Sequence, residues 1–186
     1  MKWIDMLENS PVIAAVKDDE GLNKALQTDC MIVFILYGNI CNIGEIVSAV
    51  KNAGKTAIVH VELVQGFSSK EIVVDYVGKH LKADGIISTK NQLVKRATEL
   101  DMIGILRTFI FDSIALENMK KQFISFKPDA IEILPGIVPR VIREIRKHMD
   151  IPVIAGGLLA EKKDVMEAFD AGASAVSTTR EALWYV

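Results

Sequence analysis

Eight short runs of apolar, largely β-branched residues recur along this chain, each separated from the next by a stretch with helical periodicity. They are Val12–Val16, Met31–Tyr37, Thr56–Val64, Gly85–Ile87, Ile103–Leu106, Ala130–Leu134, Pro152–Ala155 and Ala175–Ser177. Continuous runs of this kind mark strands of a parallel sheet covered on both faces, because neither side of the strand meets water. The intervening segments carry the complementary pattern. Leu22, Ala25 and Leu26 share one helical face, as do Ile43, Ile46 and Val47, and Glu71–Leu81, Gln92–Leu100, Ile114–Phe126, Val138–Met149 and Lys163–Ala171 continue the series. Gly54 and Gly172 stand just past helical stretches, where a left-handed stop is common. Asn42 and Asp112-Ser113 stand where N-caps are wanted, and Ser68 or Ser69 with Glu71 reads as a helix start with a capping acid. Strict β/α alternation favours a closed (β/α)8 TIM-type barrel over an open doubly wound sheet. With 186 residues against the roughly 250 typical of that fold, helices and loops must be short. No composition break or Pro/Ser-rich linker divides the chain, so residues 1–186 read as a single compact barrel domain.

Composition narrows the function classes. A formal charge of −2 argues against nucleic-acid binding through overall positive charge, while a local basic patch stays open. Cys30 and Cys41 lack metal-ligand spacing and lie in or beside apolar runs, which suggests reduced core thiols in a cytoplasmic protein. His80 and His148 lie on helical stretches beside lysines, and no metal site is indicated. The first residues have no signal-peptide apolar region, and no apolar stretch approaches the roughly 18 residues that span a bilayer. The expectation is a soluble, cytoplasmic protein with no membrane partner.

In barrels of this type, ligand and catalytic groups lie at the C-terminal ends of the strands. Those ends carry an unusual polar set: Lys17, His60, Glu62, Lys90, Arg107 and Glu132. His60 and Glu62 are two apart, so on one strand both side chains share a face. A charge buried without a partner is costly, so these groups must meet each other, water or a ligand. An internal ion-pair network is the plain explanation. The functional one takes Lys17 and Arg107 as partners for an anion or a hydroxyl, and Glu62 and Glu132 as acceptors for ligand hydroxyls. The last two runs end in Gly156-Gly157 and in Ser177-Thr178-Thr179, the latter followed by a helix-compatible Arg180-Glu181-Ala182-Leu183. In a (β/α)8 barrel the loops after strands seven and eight build a phosphate site with a short helix N-terminus. Gly156, Gly157, Ser177, Thr178 and Thr179 are therefore the candidate phosphate ligands; a tight turn and a helix cap are the plain alternatives. On the helix after the sixth run, Arg140, Arg143 and Lys147 fall on one face, and Lys90, Lys95 and Arg96 form a second cluster. Solubility explains such faces in general, and contact with nucleic-acid phosphates is the sharper reading.

Several stretches together point to a family. They include Pro11–Lys17, Ala57–Leu63, Ser68-Ser69-Lys70-Glu71-Ile72, Lys82–Lys90, Lys127–Gly136, Ile154–Leu158, Ala175–Thr178 and Leu183-Trp184. On these residues, essentially the whole chain resembles the glycerol uptake operon antiterminator (GlpP) family of Gram-positive bacteria. The resemblance implies a barrel that regulates rather than catalyses. Its effector would be glycerol 3-phosphate, with no cofactor, and its partner the leader mRNA of glycerol-utilisation operons, where it prevents termination. Under that reading Gly156, Gly157, Ser177, Thr178 and Thr179 hold the phosphate. Lys17, Glu62, Arg107 and Glu132 read the glycerol end, with His60 nearby, and Arg140, Arg143, Lys147, Lys90, Lys95 and Arg96 are the candidate RNA contacts. Ser177-Thr178-Thr179-Arg180 departs from the expected Ser-Thr-Ser-Asn, and Arg180 either adds a phosphate partner or faces solvent. The residues themselves carry no RNA-recognition signature and no aromatic stacking platform. The competing class is a phosphate-binding-barrel enzyme acting on a small glycerol or sugar phosphate, with Lys17, Glu62 and Glu132 capable of acid–base work. Homo-oligomerisation is left open.

Overall fold

The structure, a computed structural model, describes residues 3–122 and 126–185. Its strands are β1 (Val12–Val16), β2 (Ile32–Ile35), β3 (Thr56–His60), β4 (Gly85–Ser88), β5 (Ile103–Phe109), β6 (Ala130–Leu134), β7 (Val153–Gly156) and β8 (Ala175–Thr178). They pair in chain order, all parallel, and β8 returns to β1 to close the barrel. The helices are α1 (Trp3–Asn9), α2 (Asp19–Ala25), α3 (Ile43–Asn52), α4 (Ile72–Lys79), α5 (Asn91–Glu99), α6 (Ser113–Gln122), α7 (Pro139–His148) and α8 (Lys162–Asp170). Two short 3₁₀ helices, Val61–Leu63 and Glu181–Tyr185, follow β3 and β8.

The alternation of side chains along each strand separates two apolar layers. Ile13 and Ala15, Ile32 and Phe34, Ile58, Ile87, Ile105, Ala130, Ile154 and Ala175 fill the barrel interior. Their neighbours Ala14, Val33, Val59, Ile86, Leu106, Ile131, Val153 and Val176 face outward, packing with Val47, Val74, Leu93, Ile142 and Val165 of the helices. Helix α1 is not foreshadowed in the apolar pattern. It contributes Leu7 to the interior cluster, beside residues that begin strands, and so covers the N-terminal end of the barrel. The C-terminal end is left to the polar residues that continue the inward alternation.

Several local expectations are corrected. The second apolar run pairs only over Ile32–Ile35, and the third leaves the sheet after His60 because the chain turns into a 3₁₀ helix. The helix expected after the eighth run forms as the 3₁₀ turn Glu181–Tyr185. The helix expected through Phe126 is described to Gln122, and its residues 123–125 lie outside the described residues. Asp112 does cap α6, accepting the Ala115 N–H at 2.8 Å. Asn42 precedes α3 without capping it, since its Oδ1 accepts the Asn39 N–H at 2.7 Å instead. No side-chain cap forms at the start of α4, where Glu71 is the N-cap residue. Gly54 and Gly172 take the left-handed φ values of 73° and 100° expected of stops. Both cysteines are free thiols, but only Cys30 is in the core; Cys41 is exposed.

Candidate functional site

Extending the interior alternation to the strand ends places Arg107 after Ile105, Glu132 after Ala130, Gly156 after Ile154 and Ser177 after Ala175. Arg107 and Glu132 are register partners on β5 and β6, and the Arg107 Nε–H donates to Glu132 Oε2. The Ser177 hydroxyl donates to the other oxygen, Oε1. The Glu132 side chain is 1% exposed and that of Arg107 11% exposed, so the pair is desolvated and each partner depends on the other. Glu132 is level with Ile154, while Ser177 is level with Gly156, so the carboxylate reaches over β7 to meet the serine. A Cβ at position 156 would lie 2.7 Å from both Glu132 Oε1 and Ser177 Oγ. Gly156 is therefore explained by the passage of this carboxylate, and it is not in the lining of the cavity above.

That cavity, of about 490 Å³, opens over Arg107, Glu132, Gly157, Ser177, Thr178 and Thr179, with Leu158 and Arg180 at its edge. Its volume lies within the roughly 300–1,000 Å³ of small-molecule sites. The hydroxyls in it are not equivalent. Ser177 directs its O–H to Glu132, which leaves it lone pairs for a ligand. Thr178 Oγ1 accepts the Arg180 N–H at 3.0 Å, which leaves its O–H to donate. Thr179 makes no hydrogen bond and Arg180 no ion pair among the described residues, and both are exposed. Lys17 is exposed just past β1 and does not line the cavity.

On the β3–β4 side the sequence expectation needs correction. His60 ends β3, and Glu62 lies in the following 3₁₀ turn rather than on the strand. The turn nevertheless brings them together, with His60 Nδ1 3.4 Å from Glu62 Oε2. Both atoms are buried, and neither makes a hydrogen bond among the described residues. Burial, followed by the nearby Arg107 charge, pushes the imidazole well below the usual histidine range, against the pull of the Glu62 carboxylate. His60 is thus neutral at pH 7. Burial on its own would raise the Glu62 carboxyl, but hydrogen bonds from Ser88 and from the Thr89 N–H outweigh it and hold the group below the usual range. Glu62 Oε1 accepts from Ser88 Oγ at 2.7 Å, from the Thr89 N–H at 2.9 Å and from Thr89 Oγ1 at 3.0 Å.

The two sides share one backbone pattern. Ser88 ends β4 and Thr178 ends β8; the Lys90 N–H donates to Ser88 Oγ at 3.0 Å, as the Arg180 N–H does to Thr178 Oγ1. Ser88-Thr89-Lys90 and Thr178-Thr179-Arg180 are thus the same hydroxyl–hydroxyl–cation turn. On the preceding strands, His60 pairs with Ile87 and Gly156 with Ser177, each one residue before the hydroxyl. Two residues beyond those partners stand Glu62 and Leu158. In the β4 turn the Glu62 carboxylate occupies the donors. In the β8 turn Leu158 is 72% exposed, and the cavity lies beside the matching donors.

The remaining candidates are dispersed. Lys90 precedes α5, Lys95 is exposed, and Arg96 is tied to Asp75 through Nε and Nη2 at 3.0 and 2.8 Å and to Glu99 at 3.2 Å. On α7, Arg140 and Arg143 are exposed without ion pairs among the described residues, while Lys147 lies 3.7 Å from Glu144. Ser88, Thr89 and Leu158 were not singled out in the sequence, although Ser88-Thr89 repeats the hydroxyl ending of the eighth run. Among the described residues there is no cluster of three or more His, Cys, Asp or Glu side chains able to hold a metal. No helix there is long and apolar enough to cross a membrane.

Comparison with known proteins adds a lineage to this geometry. Residues 12–184 match the family model described as glycerol-3-phosphate responsive antiterminator. The chain is 44% identical over 184 residues to the uncharacterized protein YgcP of Escherichia coli (strain K12), covering 99% of this chain and 96% of the relative. The glycerol uptake operon antiterminator regulatory protein of Listeria monocytogenes superposes with a TM-score of 0.91 at 31% identity, covering 95% of both chains. A glycerol uptake operon antiterminator-related protein of Thermotoga maritima superposes with a TM-score of 0.84 at 32% identity, over 94% of this chain and 98% of the other.

Proposed function

The chain belongs to the glycerol-3-phosphate responsive antiterminator family, and from that premise we propose that glycerol 3-phosphate binds in the cavity between β5 and β8 as its effector. In the loaded state the protein acts on the leader RNA of glycerol-utilisation transcripts to prevent termination. The observation that carries the ligand assignment is the pair of matching turns. This chain holds one of its own carboxylates on the donor set of the β4 turn, and among the described residues no carboxylate sits on the equivalent set of the β8 turn. A phosphate there takes the Thr178 hydroxyl and the Thr179 N–H and hydroxyl, with Gly157 admitting it closely and Arg180 supplying charge. The glycerol hydroxyls meet Glu132, Ser177 and the free edge of the Arg107 guanidinium.

In this reading Glu132 neutralises Arg107, so the net positive charge for the phosphate comes from Arg180 rather than from the buried pair. His60 and Glu62 lie outside the cavity lining and act at most on its floor through the Arg107 field. The family is regulatory, and the mouth serves as the grip of a sensor rather than as an active site, working in the cytoplasm without a cofactor. Binding of the effector shifts the protein toward its RNA-competent state to the extent that the two states differ in affinity for it.

Isothermal calorimetry with glycerol 3-phosphate and with glycerol tests the ligand assignment. Charge-assisted hydrogen bonds contribute about 1.5–3 kcal/mol each, so loss of the phosphate should weaken binding by about a hundredfold or more. Equal binding of the two compounds, or binding of neither, overturns it.

A further inference from the structure

The groove beside the ligand cavity carries an aromatic platform that the linear sequence conceals. Phe109 and Phe111 stack at 5.7 Å between ring centroids with an interplanar angle of 7°, and Phe111 is 80% exposed. Phe109 is exposed as well, so the two rings form a contiguous apolar patch, the kind of surface that marks an interaction site where a single exposed side chain would not. Phe111 lines a groove with Ile110, Pro135, Val138 and Val141, which run from the end of β5 to the first turns of α7. Asp112 also lines this groove, but its carboxylate is engaged at the start of α6 by the Ala115 N–H. Arg140 and Arg143 lie on the same helix as Val138 and Val141, exposed and without ion pairs among the described residues.

We infer that this face binds single-stranded RNA, with bases stacking on the Phe109–Phe111 platform and the phosphate backbone following Arg140 and Arg143 of α7. The inference rests on the antiterminator reading and assigns it a surface. Flat rings at a groove that α7 also borders, on a helix whose Arg140 and Arg143 are exposed and without ion pairs among the described residues, suit a strand that is both aromatic and polyanionic, since stacking tolerates any base and charge follows the backbone. A second copy of this chain would bring a second row of arginines to the same place, where like charges oppose it. The face also adjoins the effector cavity. Leu134 lines that cavity, and its carbonyl accepts the N–H of Ile110 in the groove at 2.9 Å. Gly136, in the same β6–α7 connection, donates its N–H to Gly156 O at 2.6 Å. Effector and RNA thus share one wall, as a ligand-dependent contact requires.

The test is a fluorescence-anisotropy titration of a labelled in vitro transcript of the glycerol-utilisation leader, with glycerol 3-phosphate saturating. Wild-type protein is compared with Phe111→Leu, Phe111→Tyr and the double variant Arg140→Gln/Arg143→Gln. Loss of one stacked base should weaken binding about tenfold in Phe111→Leu, while Phe111→Tyr, which keeps the ring, binds as wild type. The arginine variant should bind more weakly and with a flatter salt dependence. Phe111→Leu binding the transcript as tightly as wild type overturns the platform while leaving the antiterminator reading intact. A wild-type protein that binds no transcript at any effector concentration overturns both. Sedimentation velocity covers the protein-partner outcome: a dimer that Phe111→Ala dissociates, with RNA affinity unchanged, assigns the face to self-association instead.

Discussion

The β3–β4 and β7–β8 corners of this barrel end in the same turn and use it in opposite ways. Both present a strand-end hydroxyl that accepts the N–H of a basic residue two positions on, with a threonine between them; in the β4 turn the N–H and hydroxyl of that threonine donate to the preceding strand's extension. At β4 the extension carries Glu62, and the turn is filled by the protein's own anion. At β8 it carries Leu158, directed to solvent, and the turn opens on the cavity. The difference teaches that hydroxyl-rich turns at strand ends are not ligand sites in themselves. What decides is the residue two positions beyond the neighbouring strand. Satisfaction is also distributed differently: the filled corner leaves His60 Nδ1 and Glu62 Oε2 without hydrogen bonds among the described residues, whereas Glu132 in the open corner has both oxygens engaged.

The largest effect should come from breaking the engaged corner. Glu132→Ala leaves the Arg107 guanidinium without its carboxylate in a desolvated place and is expected to cost about 3–5 kcal/mol in urea unfolding. Replacing both partners, as Arg107→Met/Glu132→Leu, should restore stability to within about 1 kcal/mol of wild type, because an apolar pair needs no compensation. Effector binding in calorimetry should stay lost in the double variant. A double variant that still binds glycerol 3-phosphate would detach the ion pair from ligand recognition.

The comparison itself can be tested by making the open corner resemble the filled one. Leu158→Glu places a carboxylate at the position matching Glu62, where it competes for the Thr178 and Thr179 donors and repels a phosphate. Affinity for glycerol 3-phosphate should fall at least tenfold, about 1.4 kcal/mol. Because Leu158 is largely exposed, the melting temperature should hardly change. Leu158→Gln, isosteric but neutral, should bind within about threefold of wild type. Unaltered affinity in the glutamate variant would show that the two turns are alike in backbone only.

Much of this architecture was legible because it depends on patterns of short range. Eight apolar runs gave eight strands in chain order, and the position of Arg107 and Glu132 towards the ends of two of those runs marked them for the mouth, whereas Lys17, His60, Glu62 and Lys90, read the same way, do not line the cavity. Arg107 and Glu132 were visible as charges interrupting apolar runs, and such interruptions are costly enough to imply a partner. The role of Gly156 was not visible, since it depends on Glu132 crossing β7, a relation set by the stagger between strands. The ending of β3 at His60 was equally hidden: Val61, Leu63 and Val64 prolong the apolar run, but Val61 and Val64 are buried without strand pairing and Leu63 is exposed. Helix α1 is too short to show a period, and only Leu7 in it is fully buried. Phe109 and Phe111 lie beyond the fifth apolar run, Ile103–Leu106, and only their stacking and shared exposure in space reveal a platform.

The smallest effect belongs to the filled corner and is a matter of pH. The folded imidazole of His60 titrates well below the roughly 6.5 of an unfolded chain, chiefly because it is buried. Above pH 7 neither state holds the proton and the residue contributes no pH dependence. As the pH falls through 6.5, the unfolded chain takes up a proton that the folded protein refuses, so stability falls with the pH. Between pH 7 and pH 5.5 this linkage amounts to about 1 kcal/mol. Glu62 is depressed as well, so the stability it contributes is present above its unfolded value of about 4.3 and is lost only below that, outside this window. His60→Gln should therefore flatten the decline in unfolding free energy between pH 7 and pH 5.5 and leave glycerol 3-phosphate affinity at pH 7 nearly unchanged, since His60 does not line the cavity. An equally steep decline in the variant would mean that another group titrates there. A large loss of effector affinity would extend the ligand site across the mouth into the corner that Glu62 fills.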